Sequence, residues 1–235
     1  MSDTTLISIP NTHGCLANSY FAPTQSVTGP GIVLLQEIFG VNNSIRTCAD
    51  RFAKAGYNVL APDLFWRLKP GVQLSYGGED LEQAFDYYHQ FDVEQGLLDI
   101  GEAIAALRNR PACENKIIVL GFCLGGRLAY LTAAKYPVDA CVAFYGGRIA
   151  DYLQEAKNIR CPVLMHFGEE DEMIPPDQID RIKAAFNGRR DVQIEVYPQV
   201  GHAFFNQDRS SFNIAAADLA YQKTLDFLQH YVKAS

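Results

Sequence analysis

The chain has 235 residues, 48% hydrophobic and 20% charged, with a formal net charge of −7. That length and balance fit one large α/β domain, 1–235, with a substantial core. The acidic excess supplies no electrostatic footprint for nucleic acid or an anionic membrane. Met1-Ser2-Asp3-Thr4-Thr5 lacks the basic and apolar regions of an export signal, and no stretch has the length of a transmembrane helix. Six cysteines, Cys15, Cys48, Cys113, Cys123, Cys141 and Cys161, are scattered without a C-x-x-C pair. Reduced thiols in a cytoplasm are therefore expected, not a disulfide framework or a zinc site. Cys48, Cys141 and Cys161 lie in apolar segments and read as small core residues.

In chain order, Leu6–Pro10 and Cys15–Ala22 read as short antiparallel edge strands. Ile32-Val33-Leu34-Leu35 is a continuous apolar run, expected of a strand covered on both faces. A helix is predicted from Asn42 to Ala55, with Ile45, Cys48, Ala49, Phe52 and Ala53 on one face and Gly56 at its stop. Tyr57–Ala61 is the next strand, ended by Pro62. The longest irregular segment, Trp66–Gly78, is a candidate lid and leads into helices near Glu79–Gln90 and Val93–Arg108. Further strands are predicted at Lys116–Leu120, Ala140–Tyr145, Val163–Phe167 and Gln193–Tyr197, and a last helix from about Ser211. This βαβα rhythm predicts a mostly parallel sheet with helices on both faces.

Gly121-Phe122-Cys123-Leu124-Gly125-Gly126 sits between a strand and a helix-forming stretch. That is the context of a nucleophile elbow, G-x-S-x-G, with cysteine in the serine place. The bland reading is a buried cysteine in a glycine-rich turn. Two more residues at strand ends argue against it, because ligand sites of open α/β sheets gather there. Asp171 follows Val163–Phe167, and His202 follows Gln193–Tyr197, so the chain order is nucleophile, acid, histidine. His202 could take the Cys123 proton, Asp171 could orient the imidazole, and the N–H of Leu124 could meet an oxyanion. Asp171 has acidic neighbours, Glu169, Glu170 and Glu172, and any one of the four could be a solvated loop charge. His166 lies in an apolar strand and reads as a satisfied core histidine; His13, His89 and His230 read as surface residues. In Gln36-Glu37-Ile38-Phe39-Gly40, the Ile38 N–H is the candidate second oxyanion donor. Glu37 is either a carboxylate favoured at a helix start or a group within reach of Cys123.

These segments, with Ala61-Pro62-Asp63-Leu64, Phe144-Tyr145-Gly146 and Thr224-Leu225-Asp226-Phe227-Leu228, resemble the dienelactone hydrolase (carboxymethylenebutenolidase) family over nearly the whole chain. The resemblance implies an α/β-hydrolase fold and hydrolysis of enol-lactones through a cysteine acyl-enzyme, with no metal or organic cofactor. It also implies Cys123 as nucleophile, His202 as base and acid, Asp171 as orienter, and a part for Glu37 in activating the thiol. The family holds its substrate's carboxylate with two arginines, whose places here are taken by Leu81 and Asn206. Such charge-assisted hydrogen bonds are worth roughly 1.5–3 kcal/mol each. Arg67, Arg148 or Arg209 could compensate, or the substrate differs. Phe39, Phe85, Tyr88, Tyr145 and Phe204 are candidate pocket residues, or core.

The expectation is therefore a hydrolase opening a small enol-lactone or ester through Cys123, His202 and Asp171. The alternatives are an esterase or lactonase of the same fold acting on a neutral or unrelated ester, and a non-catalytic binding protein on this scaffold. A redox-sensing thiol lacks a resolving cysteine nearby in sequence. Oligomeric state is not legible.

Overall fold

A computed structural model describes residues 5–11 and 14–233; His13 and the side chain of Cys15 lie outside them. The chain divides into two compact units, residues 1–118 and 119–235. Among the described residues, no helix is long and apolar enough to cross a membrane.

The first unit begins with β1 (Thr5–Asn11) and β2 (Gly14–Ala22), an antiparallel pair longer than the apolar runs suggested. β2 pairs antiparallel with β4 (Asn58–Ala61), and β4 runs parallel to β3 (Gly29–Leu35). Every residue of β3 and β4 is buried, which is why the apolar run in β3 does not alternate. Helix α1 (Asn43–Lys54) starts where the Asn42 side chain accepts from the Ile45 amide, and it buries Ile45, Ala49, Phe52 and Ala53. Helix α2 (Gly78–Gln90) buries only Ala84, whereas α3 (Val93–Arg108), capped by Asp92, buries one long face including Leu97, Ile100, Ile104 and Leu107. β5 (Cys113–Phe122) carries the chain into the second unit.

Asn58 is the polar exception in β4. Its amide accepts from Thr24 N–H (3.2 Å) and donates to the carbonyls of Gly29 (3.0 Å) and Ala112 (2.8 Å), with no exposure. Asn58→Leu would strand one buried donor and weaken two acceptors, at a cost of about 2–4 kcal/mol. A lower urea midpoint at unchanged m-value is the expected result.

The 66–78 segment is pinned at both ends. Trp66 Nε1 and Arg67 each donate to the buried Asp99 on α3 at 2.8 Å, and the Arg67 guanidinium stacks on Trp66. Gly71 N–H donates to Asp63 Oδ2 (2.7 Å), Leu74 N–H to the Phe39 carbonyl (2.9 Å), and Asn42 Nδ2 to the Leu74 carbonyl (3.0 Å).

In the second unit, α4 (Leu124–Lys135) follows β5. The strands β6 (Ala140–Phe144), β7 (Val163–Gly168) and β8 (Val192–Tyr197) run parallel in that order. Between β7 and β8 lies α5 (Pro176–Ala185), a helix that the sequence reading did not identify. It buries only Ile179 and Ile182, so its apolar stripe is too thin to stand out, although Pro176 marks its first turn. The last helix, α6 (Ile214–Leu228), starts three residues later than expected because Asn213 caps the Ala216 amide (3.0 Å). Ser211 instead donates to the carbonyl of His202 (2.5 Å).

Candidate active site

Strand β5 ends in the elbow. Cys123 adopts φ 54°, ψ −112°, a left-handed conformation that a side chain enters only under strain. Its amide donates to the Phe144 carbonyl (3.0 Å) at the end of β6, and its carbonyl accepts from Arg127 N–H (3.2 Å) in α4. The turn is tight enough to require glycine on both sides. A β-carbon at Gly121 would lie 2.1 Å from the Gly125 carbonyl oxygen, and one at Gly126 would lie 2.6 Å from the Phe144 oxygen. Cys123 is half-buried, while Phe122 before it and the α4 residues from Leu124 to Ala133 are buried. Leu124 N–H opens α4 and has no acceptor within the helix.

Strand β7 ends at Gly168, and the loop beyond it is zipped to the one after β8. Glu169 N–H donates to the Tyr197 carbonyl (2.9 Å) and Glu170 N–H to the Val200 carbonyl (3.0 Å). Of the four clustered acids, Glu169, Glu170 and Glu172 are exposed and only Asp171 is buried. Asp171 Oδ1 accepts from Met173 N–H (2.9 Å), and Oδ2 lies 2.8 Å from His202 Nδ1. The opposite ring nitrogen, His202 Nε2, is buried, and Cys123 is the second group hydrogen-bonded to the ring besides Asp171. Burial pulls the imidazole toward neutrality; its interactions with Cys123 and Asp171 outweigh it and raise the pKa to about 10. Tyr145 packs edge-on against His202 (ring centroids 5.1 Å), and the buried Phe204 packs against Tyr145 (5.7 Å).

The structure thus brings Asp171 and His202 together, with Cys123 as the electrostatic neighbour of the imidazole and Tyr145 and Phe204 as its aromatic surround. In the first unit, Glu37, Ile38 and Phe39 are all buried in the loop after β3, where Phe39 packs edge-on against Tyr76 (4.5 Å). Leu81, Phe85 and Tyr88 lie on the mostly exposed α2; Phe85 is exposed and stacks on His89. Asn206 is buried, and its Oδ1 accepts from Asp208 N–H (3.1 Å), an Asx turn. Ser211 was read as the start of the last helix. No local signal separates a helix start from a hydroxyl that bonds the His202 carbonyl.

The family model for the dienelactone hydrolase family matches residues 17–232. The chain is 34% identical to a carboxymethylenebutenolidase of Pseudomonas putida, over 94% of each chain. It is 29% identical to carboxymethylenebutenolidase 1 of Cupriavidus pinatubonensis, over 94% of this chain and 95% of that one. The chain belongs to the dienelactone hydrolase family. It is a carboxylic ester hydrolase, acting on ester or lactone bonds. Its fold is the α/β-hydrolase fold. A candidate dienelactone hydrolase of Klebsiella pneumoniae superposes with a TM-score of 0.87 at 27% identity, covering 98% of this chain and 100% of that one. A dienelactone hydrolase of Anabaena variabilis has the same fold (TM-score 0.73, 19% identity, 98% of both chains).

Two arginines considered as substitutes for the family's carboxylate-binding pair are engaged elsewhere in this hydrolase. Arg67 is held by the buried Asp99 (2.8 Å), and the exposed Arg148 is paired with Asp151 (2.9 Å).

His166 of this hydrolase is fully buried, with both ring nitrogens bonded, Nδ1 to Tyr197 Oη (2.9 Å) and Nε2 to Thr224 Oγ1 (3.0 Å). Burial, aided by the charge of Lys223, lowers its pKa to about 3 from an ordinary value of 6.5. The unfolded chain therefore binds one more proton than the folded chain below pH 6.5, and stability falls as pH drops from there toward 3. The slope is about 1.4 kcal/mol per pH unit. Asp63 has the opposite sign. Burial raises its pKa to about 6, opposed by hydrogen bonds from Gly71 and Phe65, so its contribution is present below 3.8 and lost as pH rises through 6. Comparing the wild type with His166→Gln cancels the Asp63 contribution. The difference in unfolding free energy is expected to move by roughly the His166 slope between pH 6.5 and 3, the wild type losing more on acidification.

Proposed function

We propose that the protein hydrolyses small activated esters and lactones through a Cys123–His202–Asp171 triad. The observation that supports it most is the Asp171–His202 hydrogen bond of 2.8 Å on an imidazole whose pKa is raised by Cys123. His202 Nε2 takes the Cys123 proton, and Asp171 holds Nδ1–H and stabilises the imidazolium. The thiolate adds to the substrate carbonyl, and the N–H of Leu124 at the start of α4 stabilises the oxyanion. The tetrahedral adduct collapses to a thioester, breaking the carbonyl–oxygen bond of the ester, and the leaving alkoxide or enolate takes the proton from His202. Water, deprotonated by His202, then adds to the thioester; the C–S bond breaks and the thiol is restored. A thiolate is readily expelled from the adduct when the other leaving group is poor, so enol, aryl and lactone esters are the expected substrates, not amides.

A second reading within this function is a neutral ester or lactone as the natural substrate. It is favoured by Leu81 and Asn206 at the family's arginine places and by the engagement of Arg67 and Arg148 with carboxylates. The test is a rate panel of dienelactone against uncharged lactones and aryl acetates, with Cys123→Ala as blank. Rapid dienelactone opening supports the first reading; fast turnover of neutral substrates alone supports the second; cysteine-independent turnover of all of them overturns the triad.

Thiol labelling gives an independent check. Burial raises the thiol pKa of Cys48 and Cys161 to about 12, that of Cys141 well above the ordinary value, and that of Cys113 as well. At pH 7 and limiting iodoacetamide, Cys123 is expected to be alkylated before all four, as read by peptide mass spectrometry. Labelling of Cys113 ahead of Cys123 would contradict this.

A further inference from the structure

We infer that His166, which takes no part in the chemistry above, is a positioning residue for the Asp171–His202 pair. It acts through a directional hydrogen-bond chain that joins strand β8 to helix α6. The inference rests on the proposed triad.

The direction of the chain follows from counting protons. With its one hydrogen placed on the Ala220 carbonyl (2.8 Å), Thr224 Oγ1 is the acceptor toward His166 Nε2 (3.0 Å), and this assignment sets the tautomer. In that assignment Nε2 carries the ring proton. Nδ1 is then the acceptor, and the Tyr197 hydroxyl donates to it (2.9 Å). The order is Tyr197 O–H to His166 Nδ1, His166 Nε2–H to Thr224 Oγ1, and Thr224 O–H to the Ala220 carbonyl. One neutral tautomer satisfies every group. Of the nearby charges, Glu195, opposite His166 in β8, pairs with Lys223 of α6 at 2.9 Å, and the Lys223 charge disfavours the imidazolium, so the ring stays neutral.

This chain lies among the elements that carry the site. His166 is on β7, five residues before Asp171; Tyr197 ends β8, five residues before His202. The His166 ring stacks on Phe144 (4.3 Å), whose carbonyl holds the Cys123 amide (3.0 Å). The His166 carbonyl accepts from Tyr145 N–H (2.7 Å), and the Tyr145 ring packs on His202. The Tyr197 ring packs on Phe204 (5.0 Å), two residues past His202. The buried imidazole therefore packs on the last residues of β6 and β8, Phe144 and Tyr197, and its own strand β7 leads to Asp171, so the ring is seated among the strand ends that carry Cys123, Asp171 and His202.

The test pairs Thr224→Val, which keeps the shape and removes the acceptor, with Thr224→Ser, which keeps the oxygen; Tyr197→Phe cuts the other end. Measured on folded protein with an aryl acetate, the Val and Phe variants are expected to lose about tenfold in kcat with KM little changed. Their pH profile for Cys123 alkylation should also shift from that of the wild type, and the Ser variant should recover both. If Val and Phe keep the wild-type kcat and alkylation profile, or if Ser fails to recover what Val loses, the inference is overturned. Should Thr224→Val not fold, Tyr197→Phe alone decides. Failure of the triad itself would register differently, as hydrolysis by the wild type that survives Cys123→Ala.

Discussion

Replacing Cys123 by alanine is expected to lower kcat/KM for an aryl acetate by about 10⁴-fold or more, while leaving the fold intact. Cys123 sits at φ 54° between glycines that leave no room for a β-carbon, so the elbow exists to present this one side chain. Alanine keeps the β-carbon and the backbone conformation, and removes only the sulfur. The loss should therefore appear in kcat, with near-native thermal unfolding. A second consequence follows at His202: without the sulfur whose interaction helps raise it, the imidazole pKa should fall from about 10, observable as a shift in its NMR titration. Residual turnover within tenfold of wild type would remove Cys123 from the mechanism.

Asp171→Asn is expected to cost nearly as much, about 10³- to 10⁴-fold in kcat. Asp171 Oδ1 accepts from Met173 N–H at 2.9 Å, so the amide of the variant must place its carbonyl oxygen there. The NH2 group then faces His202 Nδ1, where the carboxylate oxygen stood at 2.8 Å. Nδ1 is forced to accept, the ring proton moves to Nε2, and Nε2 can no longer take a proton from the thiol. KM should change little, because the buried carboxylate is shielded by the ring it orients. The imidazole also loses a hydrogen bond that raises its pKa, so alkylation of Cys123 should require a higher pH than in the wild type. An Asn variant with wild-type kcat would show that tautomer control is not part of the rate.

Much of the fold was legible because it is written in short-range patterns. The apolar runs of β3, β4 and β7, the capped amphipathic α1, and α3 with its long buried face all carry their period in neighbouring residues. Helix α5 was not, since two buried isoleucines in ten residues make too weak a stripe. The start of α6 was misplaced because Ser211, an acceptable helix-start residue by type, serves the carbonyl of His202 instead.

By itself the sequence determined the family and the elbow: a glycine-flanked cysteine between a buried strand and a helix is a local steric statement, and segments spread from Gln36 to Leu228 repeat the family pattern. Only the tertiary structure decided which of four adjacent acids is buried, that its partner is His202, 31 residues away, and that His166 ties β8 to α6. Those outcomes depend on which side chains lose water when β7, β8 and α6 pack. Burial and pairing between residues distant in the chain leave no periodic trace along it.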